Sequence, residues 1–111
     1  MIFYIGGRAQ GKRELAGSRY PNAPIWDNLQ EDIRAGLRQG ICTEEILREI
    51  MERVDREPEI VIVCDEIGNG IVPIEKEERL YREETGRIQI ALAKRAEKVF
   101  RVTCGLEQQI K

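Results

Sequence analysis

Gly6-Gly7-Arg8-Ala9-Gln10-Gly11-Lys12-Arg13 is the stretch of this chain whose spacing points most directly to chemistry. It fits G-x-x-x-x-G-K and departs from the usual phosphate-loop pattern at the final position, where Arg13 replaces Ser or Thr. A phosphate site needs glycines so that backbone N–H groups can close around the anion. It also needs a helix N-terminus behind them and a lysine that reaches the outer phosphates. The run follows an apolar segment and opens a helical one, which suits that role. Gly6, Gly7, Arg8, Ala9, Gln10, Gly11, Lys12 and Arg13 are therefore the expected phosphate-binding set. The plainer alternative is a glycine turn joining a strand to a helix. The missing hydroxyl normally coordinates Mg²⁺ beside a nucleotide, so its loss should weaken metal placement more than phosphate binding. Arg13 could supply charge to a phosphate or simply face solvent.

Two acidic positions come next. Asp65-Glu66-Ile67-Gly68-Asn69-Gly70-Ile71-Val72-Pro73 follows a strand-like run, and acids there lie at the strand's carboxyl end, where open α/β sheets bind ligands. A polar turn with Asp65 or Glu66 capping backbone donors explains the same residues. Asp27, after Pro24-Ile25-Trp26, could hold Mg²⁺ at the end of a short strand or cap the following helix.

Composition removes several chemistries. The 111 residues contain no histidine, which excludes His bases, His metal ligands and a covalent histidine intermediate on this chain. Cys42, Cys64 and Cys104 are far apart and form neither a disulfide framework nor a CxxC site, so a reducing, cytoplasmic setting is expected. A net charge of −2 gives no global pull toward nucleic acid or an anionic membrane. Residues 1–24 nevertheless carry a local +3 and residues 25–59 a local −5, so the glycine cluster sits in the basic part. No apolar run reaches the length of a membrane span, and the apolar start of the chain is too short for a secretory signal.

The elements that must position these residues follow from apolar periodicity. Ile2 to Ile5 reads as a buried strand and Gly11 to about Ser18 as a short helix. Ala23 to Trp26 is a weak second strand. Leu29, Ile33 and Leu37 mark a helix that Gly40 closes, and Thr43 is the expected N-cap of the next, lined by Ile46, Leu47, Ile50, Met51 and Val54. Ile60 to Cys64 has no polar alternation, as expected of a strand covered on both faces. A long helix from about Glu75 to Lys98 should bury Leu80, Ile88, Leu92 and Ala96, with Gly86 interrupting it at some cost. Val99 to Thr103 is a further strand, then a short tail; Cys64 and Cys104 read as buried strand-end residues. Strands separated by helices predict one α/β domain over residues 1–111, a small P-loop-like three-layer architecture with a mainly parallel sheet. So few helices should leave apolar surface on the sheet or on the helix around Leu80 to Leu92, so a homo-oligomer is expected.

The run Ile60 to Pro73 resembles the bifunctional adenosylcobinamide kinase/adenosylcobinamide-phosphate guanylyltransferase family, with its strand followed by N-E-V-G-x-G-I-V-P. Arg79, Arg82, Gly86 and Arg87 fall where that family has R…R-D-x-x-G-R, and Gly6 to Lys12 resembles its G-G-A-R-S-G-K-S loop. The resemblance covers about residues 1–16 and 58–111 well and the middle loosely. It implies ATP or GTP with Mg²⁺, a corrinoid acceptor and a kinase reaction: γ-phosphoryl transfer to the aminopropanol hydroxyl of adenosylcobinamide. Lys12 would stabilise the transferred group, Asp27 would hold Mg²⁺, and Glu66 would orient or deprotonate the acceptor. The family's guanylyl-carrying histidine falls in a segment this shorter chain lacks, so guanylyl transfer is expected to be absent. Its Asn-Gln pair after G-R is Gln89-Ile90 here. The rival expectation is a non-catalytic nucleotide- or phosphate-binding module.

Overall fold

A computed structural model of the chain describes residues 1–67 and 75–111. The elements in chain order are β1 (Ile2–Gly6), α1 (Lys12–Arg19), β2 (Ile25–Trp26), α2 (Leu29–Arg38), α3 (Thr43–Arg56), β3 (Val61–Asp65), α4 (Lys76–Arg95), β4 (Lys98–Thr103) and β5 (Leu106–Gln109). They form one sheet in the order β2-β3-β1-β4-β5. β1 lies parallel to β3 and β4, and β2 parallel to β3. The expected mainly parallel α/β sheet is present; the Gly68 to Pro73 part of the acidic-loop motif lies outside the described residues.

Side chains alternate along each strand, so β3 feeds two cores. Ile60, Ile62 and Cys64 pack with Phe3 and Val99 under α2, α3 and α4. Val61 and Val63 pack with Ile2, Tyr4, Phe100 and Val102 under Ala16 of α1. Helices on both faces explain why this strand carries no polar alternation.

The expectation of apolar surface left on the sheet is not met on the face under the eight-residue α1, where Tyr4, Phe100 and Val102 are buried within the single chain. The Arg19 guanidinium lies over the Phe100 ring, 5.0 Å from the centroid, and pairs with Glu107 at 2.9 Å. Tyr4 Oη donates to Glu107 Oε2 at 2.7 Å. Long polar side chains thus finish the cover that a second helix would otherwise provide. Among the described residues the large apolar side chains left exposed are Leu80, Ile90, Leu106 and Ile110.

This cluster sets an alkaline limit. Burial, then the hydrogen bond to Glu107, raises the Tyr4 phenol well above its ordinary value of 10.0. A raised folded value means stability is present below the unfolded pKa and is lost as pH climbs past it. Unfolding midpoints should therefore fall above about pH 10, and Tyr4→Phe should flatten that decline in urea melts run from pH 8 to 11.

The helices differ from expectation in three places. Gly40 does close α2, with φ +80 and the paired bonds Ile41 N–H to Gly36 O and Gly40 N–H to Leu37 O of a Schellman ending. Thr43, however, is the first residue of α3 rather than its cap; Cys42 occupies the cap position, and Thr43 Oγ1 donates to Glu84 Oε2 at 2.6 Å. Leu80 is 47% exposed, not part of the buried stripe of α4. That stripe runs through Tyr81, Thr85, Ile88, Gln89 and Leu92, and the Arg34 guanidinium of α2 lies over the Tyr81 ring, 3.9 Å from its centroid. α4 runs unbroken through Gly86 to Arg95, short of the expected Lys98, which starts β4.

The tail beyond Gly105 is not irregular. It forms β5, antiparallel to β4 across the two-residue turn Cys104-Gly105, both at positive φ (50 and 73) as a type I′ hairpin turn requires. Cys104 is accordingly exposed on a turn, not buried at a strand end.

Thr85 has 0% exposure and its hydroxyl finds no hydrogen-bond partner among the described residues. Burying an unpaired hydroxyl costs about 1–3 kcal/mol. Thr85→Val keeps the shape and removes the cost, so it should raise the urea midpoint; an unchanged or lower midpoint would show that the hydroxyl is satisfied.

Candidate functional site

The sheet topology brings the two strongest sequence features together. β1 and β3 are neighbours in parallel register, with Gly6 opposite Asp65, so the glycine loop after β1 and the acids after β3 leave the same edge of the sheet. Gly6 stays within hydrogen-bonding range of the neighbouring chain end: Glu66 N–H donates to Gly6 O at 2.7 Å. A side chain there is blocked from the other side, since a Cβ would stand 2.4 Å from the Val102 carbonyl oxygen of β4.

The loop from Gly7 to Gly11 then turns back into α1. Ala9 and Gly11 both take left-handed backbone (φ 56 and 89), and Gly11 is the cap position of α1 without a side-chain cap bond. The N-terminus of α1, with its partial positive charge, is thereby presented at the loop. The hairpin turn buttresses the loop: Cys104 N–H donates to Gln10 Oε1 at 2.5 Å and Gly105 N–H to Gln10 O at 3.0 Å.

Lys12 turns inward. It is 6% exposed, and its Nζ donates to Gly7 O at 2.7 Å and pairs with Asp65 Oδ1 at 2.8 Å. Asp65 shares the parity of Val61 and Val63, so its carboxylate lies on the α1 face, where Lys12 begins the helix. Arg13 is half exposed and stands 3.9 Å from Asp27 Oδ2, while Asp27 Oδ1 accepts the Asn28 N–H at 2.9 Å. Asp27 is not the helix cap; Asn28, at φ 54, holds that position.

These residues line one cleft of about 460 Å³, formed by Arg8 to Glu14 and by Asp27, Asn28, Gln30, Glu31 and Asp65, with the buried Val63 beneath them. Glu66 is not among the described residues that line it; its Oε2 lies 3.3 Å from Arg101 of β4. So Arg8 to Arg13 and Asp27 meet at one place and Glu66 does not. Among the described residues no three Cys, Asp or Glu side chains converge to form a metal cage. Four carboxylates line the cleft, Glu14, Asp27, Glu31 and Asp65, and Mg²⁺ is commonly held by one or two carboxylates with phosphates and waters completing its shell. The donor set therefore fits a cation that arrives with phosphates.

The acid on Lys12 is Asp65, the first residue of the motif at the end of β3, a pairing the motif did not assign. Two further residues were not site candidates. Gln30 and Gln89 are buried polar side chains that hold the Asp65 backbone. Cys64 beside them is pushed up to about 11 by burial, which outweighs the Gln89 hydrogen bond, so it is an inert thiol.

Among the described residues no helix is long and apolar enough to cross a membrane. A family model described as cobinamide kinase / cobinamide phosphate guanyltransferase matches residues 27–110. The match takes in Asp27, Asp65 and both glutamines, and starts after the glycine loop. No curated protein matches the chain.

Proposed function

Because the chain belongs to the cobinamide kinase / cobinamide phosphate guanyltransferase family, a nucleotide-using family of cobalamin biosynthesis, we propose that it binds a purine nucleoside triphosphate with its phosphates in the Gly6 to Arg13 loop. The reaction is transfer of the γ-phosphoryl group to the aminopropanol hydroxyl of a cobinamide. The observation that carries this reading is the placement of Lys12: a nearly buried ammonium at the start of a helix, 2.8 Å from Asp65, in a polar cleft.

Phosphoryl transfer asks the protein mainly for positioning and charge. Loop amides and the start of α1 would receive the phosphates, and Lys12 would swing from Gly7 O toward the outer phosphate. Asp27 and Asp65 would hold a Mg²⁺ that arrives with the nucleotide, and that ion would supply neutralisation of phosphate charge. Glu66 would act on the acceptor hydroxyl once freed from Arg101. No histidine exists to carry a guanylyl group, so that half of the family's chemistry is absent from this reading.

A thermal-shift series with ATP, GTP and cobinamide, each with and without Mg²⁺, tests it. Stabilisation by a triphosphate, increased by Mg²⁺, is expected. No shift with any nucleotide overturns it.

Arg13 favours the second reading, a nucleotide-binding module without catalysis, since it puts a guanidinium 3.9 Å from the carboxylate that would hold the metal. Arg13→Ser separates the two. The contact is half exposed and contributes little to stability, so the fold should be unaffected. If Mg²⁺ placement limits transfer, the restored hydroxyl should raise the rate about tenfold, equivalent to about 1.4 kcal/mol of barrier. No gain with nucleotide binding intact would select the non-catalytic reading.

A further inference from the structure

β2 is only two residues long, and its last residue, Trp26, sits opposite Ile62. β3 continues three residues further, to Asp65. In a parallel ladder alternate residues point their N–H and C=O to the same neighbour. Glu66 N–H goes to β1 (Gly6 O), whereas Val61 N–H goes to Pro24 O on the β2 side. Asp65 shares the parity of Val61, so its backbone groups face the place where β2 has already ended.

Two glutamine side chains fill that place. Gln30 of α2 accepts the Asp65 N–H with its Oε1 at 3.0 Å, and Gln89 of α4 donates its Nε2 to the Asp65 carbonyl at 2.8 Å. Both are nearly buried. Gln30 Nε2 is in turn held by Asn28 Oδ1 at 3.1 Å, and Gln89 Nε2 also approaches Cys64 Sγ at 3.3 Å. Burying a primary amide is costly unless its groups are used. An apolar residue at 89 would fit the stripe between Ile88 and Leu92 without that requirement. What the two amides achieve is local: they fix the one peptide whose carboxylate holds Lys12.

We propose that Gln30 and Gln89 are positioning residues that replace the missing strand beside Asp65 and, through the Asp65–Lys12 pair, hold the Lys12 ammonium ready for an anionic ligand. The ligand arm of the test rests on the nucleotide reading above; the clamp itself does not.

Gln89→Met keeps the side-chain volume and removes the donor; Gln30→Met attacks the same peptide from the other helix, so the test survives if one variant fails to fold. The first readout needs no ligand. Acetylation of Lys12 by an N-hydroxysuccinimide ester is followed by peptide mass spectrometry, with exposed Lys98 as reference. Under conditions where the chain stays folded by circular dichroism, Lys12 should become about tenfold more reactive relative to Lys98, the effect of losing one hydrogen bond that fixes a charged pair. The second readout is the Kd for MgATP. It should weaken about tenfold in Gln89→Met and change little when Gln89→Met is added to Asp65→Asn, because the effect passes through Asp65. A merely structural role would lower stability equally in both backgrounds and leave Lys12 labelling unchanged. Unchanged labelling in both folded variants overturns the clamp. Raised labelling in a protein that binds no triphosphate leaves the clamp standing and overturns the nucleotide reading instead.

Discussion

Alanine at position 6 lowers the stability of the chain by about 3 kcal/mol, the upper end of the usual cost of overpacking, while alanine at position 86 raises it. The contrast isolates what each glycine does. At Gly6 the new methyl would lie 2.4 Å from the Val102 carbonyl oxygen and 3.3 Å from the Val102 N and C atoms. These are backbone atoms of the strand paired in register with Gly6, so no side chain can swing away to relieve the contact. Either β4 shifts or the last rung of β1 breaks, and both displace the loop that follows. At Gly86 nothing lies within 4 Å of the added methyl, and the residue is mid-helix. There alanine should contribute about 0.5–1 kcal/mol by reducing unfolded-state entropy. Native stabilities run about 5–15 kcal/mol, so Gly6→Ala removes a large share. Urea unfolding of both variants checks this. A Gly6→Ala midpoint within error of the parent would show that β4 accommodates the methyl at little cost.

That contrast also shows where the sequence could be read and where it could not. The glycine run reads as a phosphate loop from spacing, yet the first glycine is required by its neighbour in β4, a contact between residues 96 positions apart that spacing cannot reveal. The central strand was legible because its two covered faces leave an unbroken apolar signature at Ile60 to Cys64. β5 was not, because Leu106-Glu107-Gln108-Gln109 becomes a strand only by pairing with β4 across a Cys-Gly turn, a weaker hairpin signal than Asn-Gly. Leu80 was misplaced for a related reason. Apolar periodicity assigns the buried face of α4 by its apolar residues, but here Thr85 and Gln89 are buried and Leu80 is not. The candidate site divides the same way. The loop and Asp27 were visible as residue types at strand ends, and Asp65 stood beside the chosen Glu66. Which of the two acids meets Lys12 depends on strand parity, and the need for Gln30 and Gln89 depends on how early β2 stops.

Lys12→Ala is expected to abolish the stabilisation of the chain by nucleotide. At a ligand concentration of a hundred times Kd, a ligand that binds only the folded state adds about 2.7 kcal/mol. The Lys12 ammonium is the nearly buried cation at the cleft, and the other cations on the loop side, Arg8 and Arg13, are exposed to water that screens them. Removing Lys12 also leaves the Asp65 carboxylate without the partner 2.8 Å away, so the cleft gains uncompensated negative charge facing incoming phosphates. Loss of attraction and gain of repulsion act in the same direction. The fold itself should also weaken. Breaking a fully buried pair costs about 3–5 kcal/mol, and since solvent reaches the Asp65 side chain, about 2 kcal/mol is the appropriate size here. The two effects are separated by melting the variant with and without MgATP. Its unliganded midpoint should be lower than the parent's, and the nucleotide-induced shift should disappear. Lys12→Ala, Asp65→Asn in combination should recover part of the unliganded midpoint, since the stranded charge is gone, and should still show no nucleotide shift, since the amine that meets the phosphate is gone as well. A full shift in either variant would place the phosphates elsewhere on the molecule.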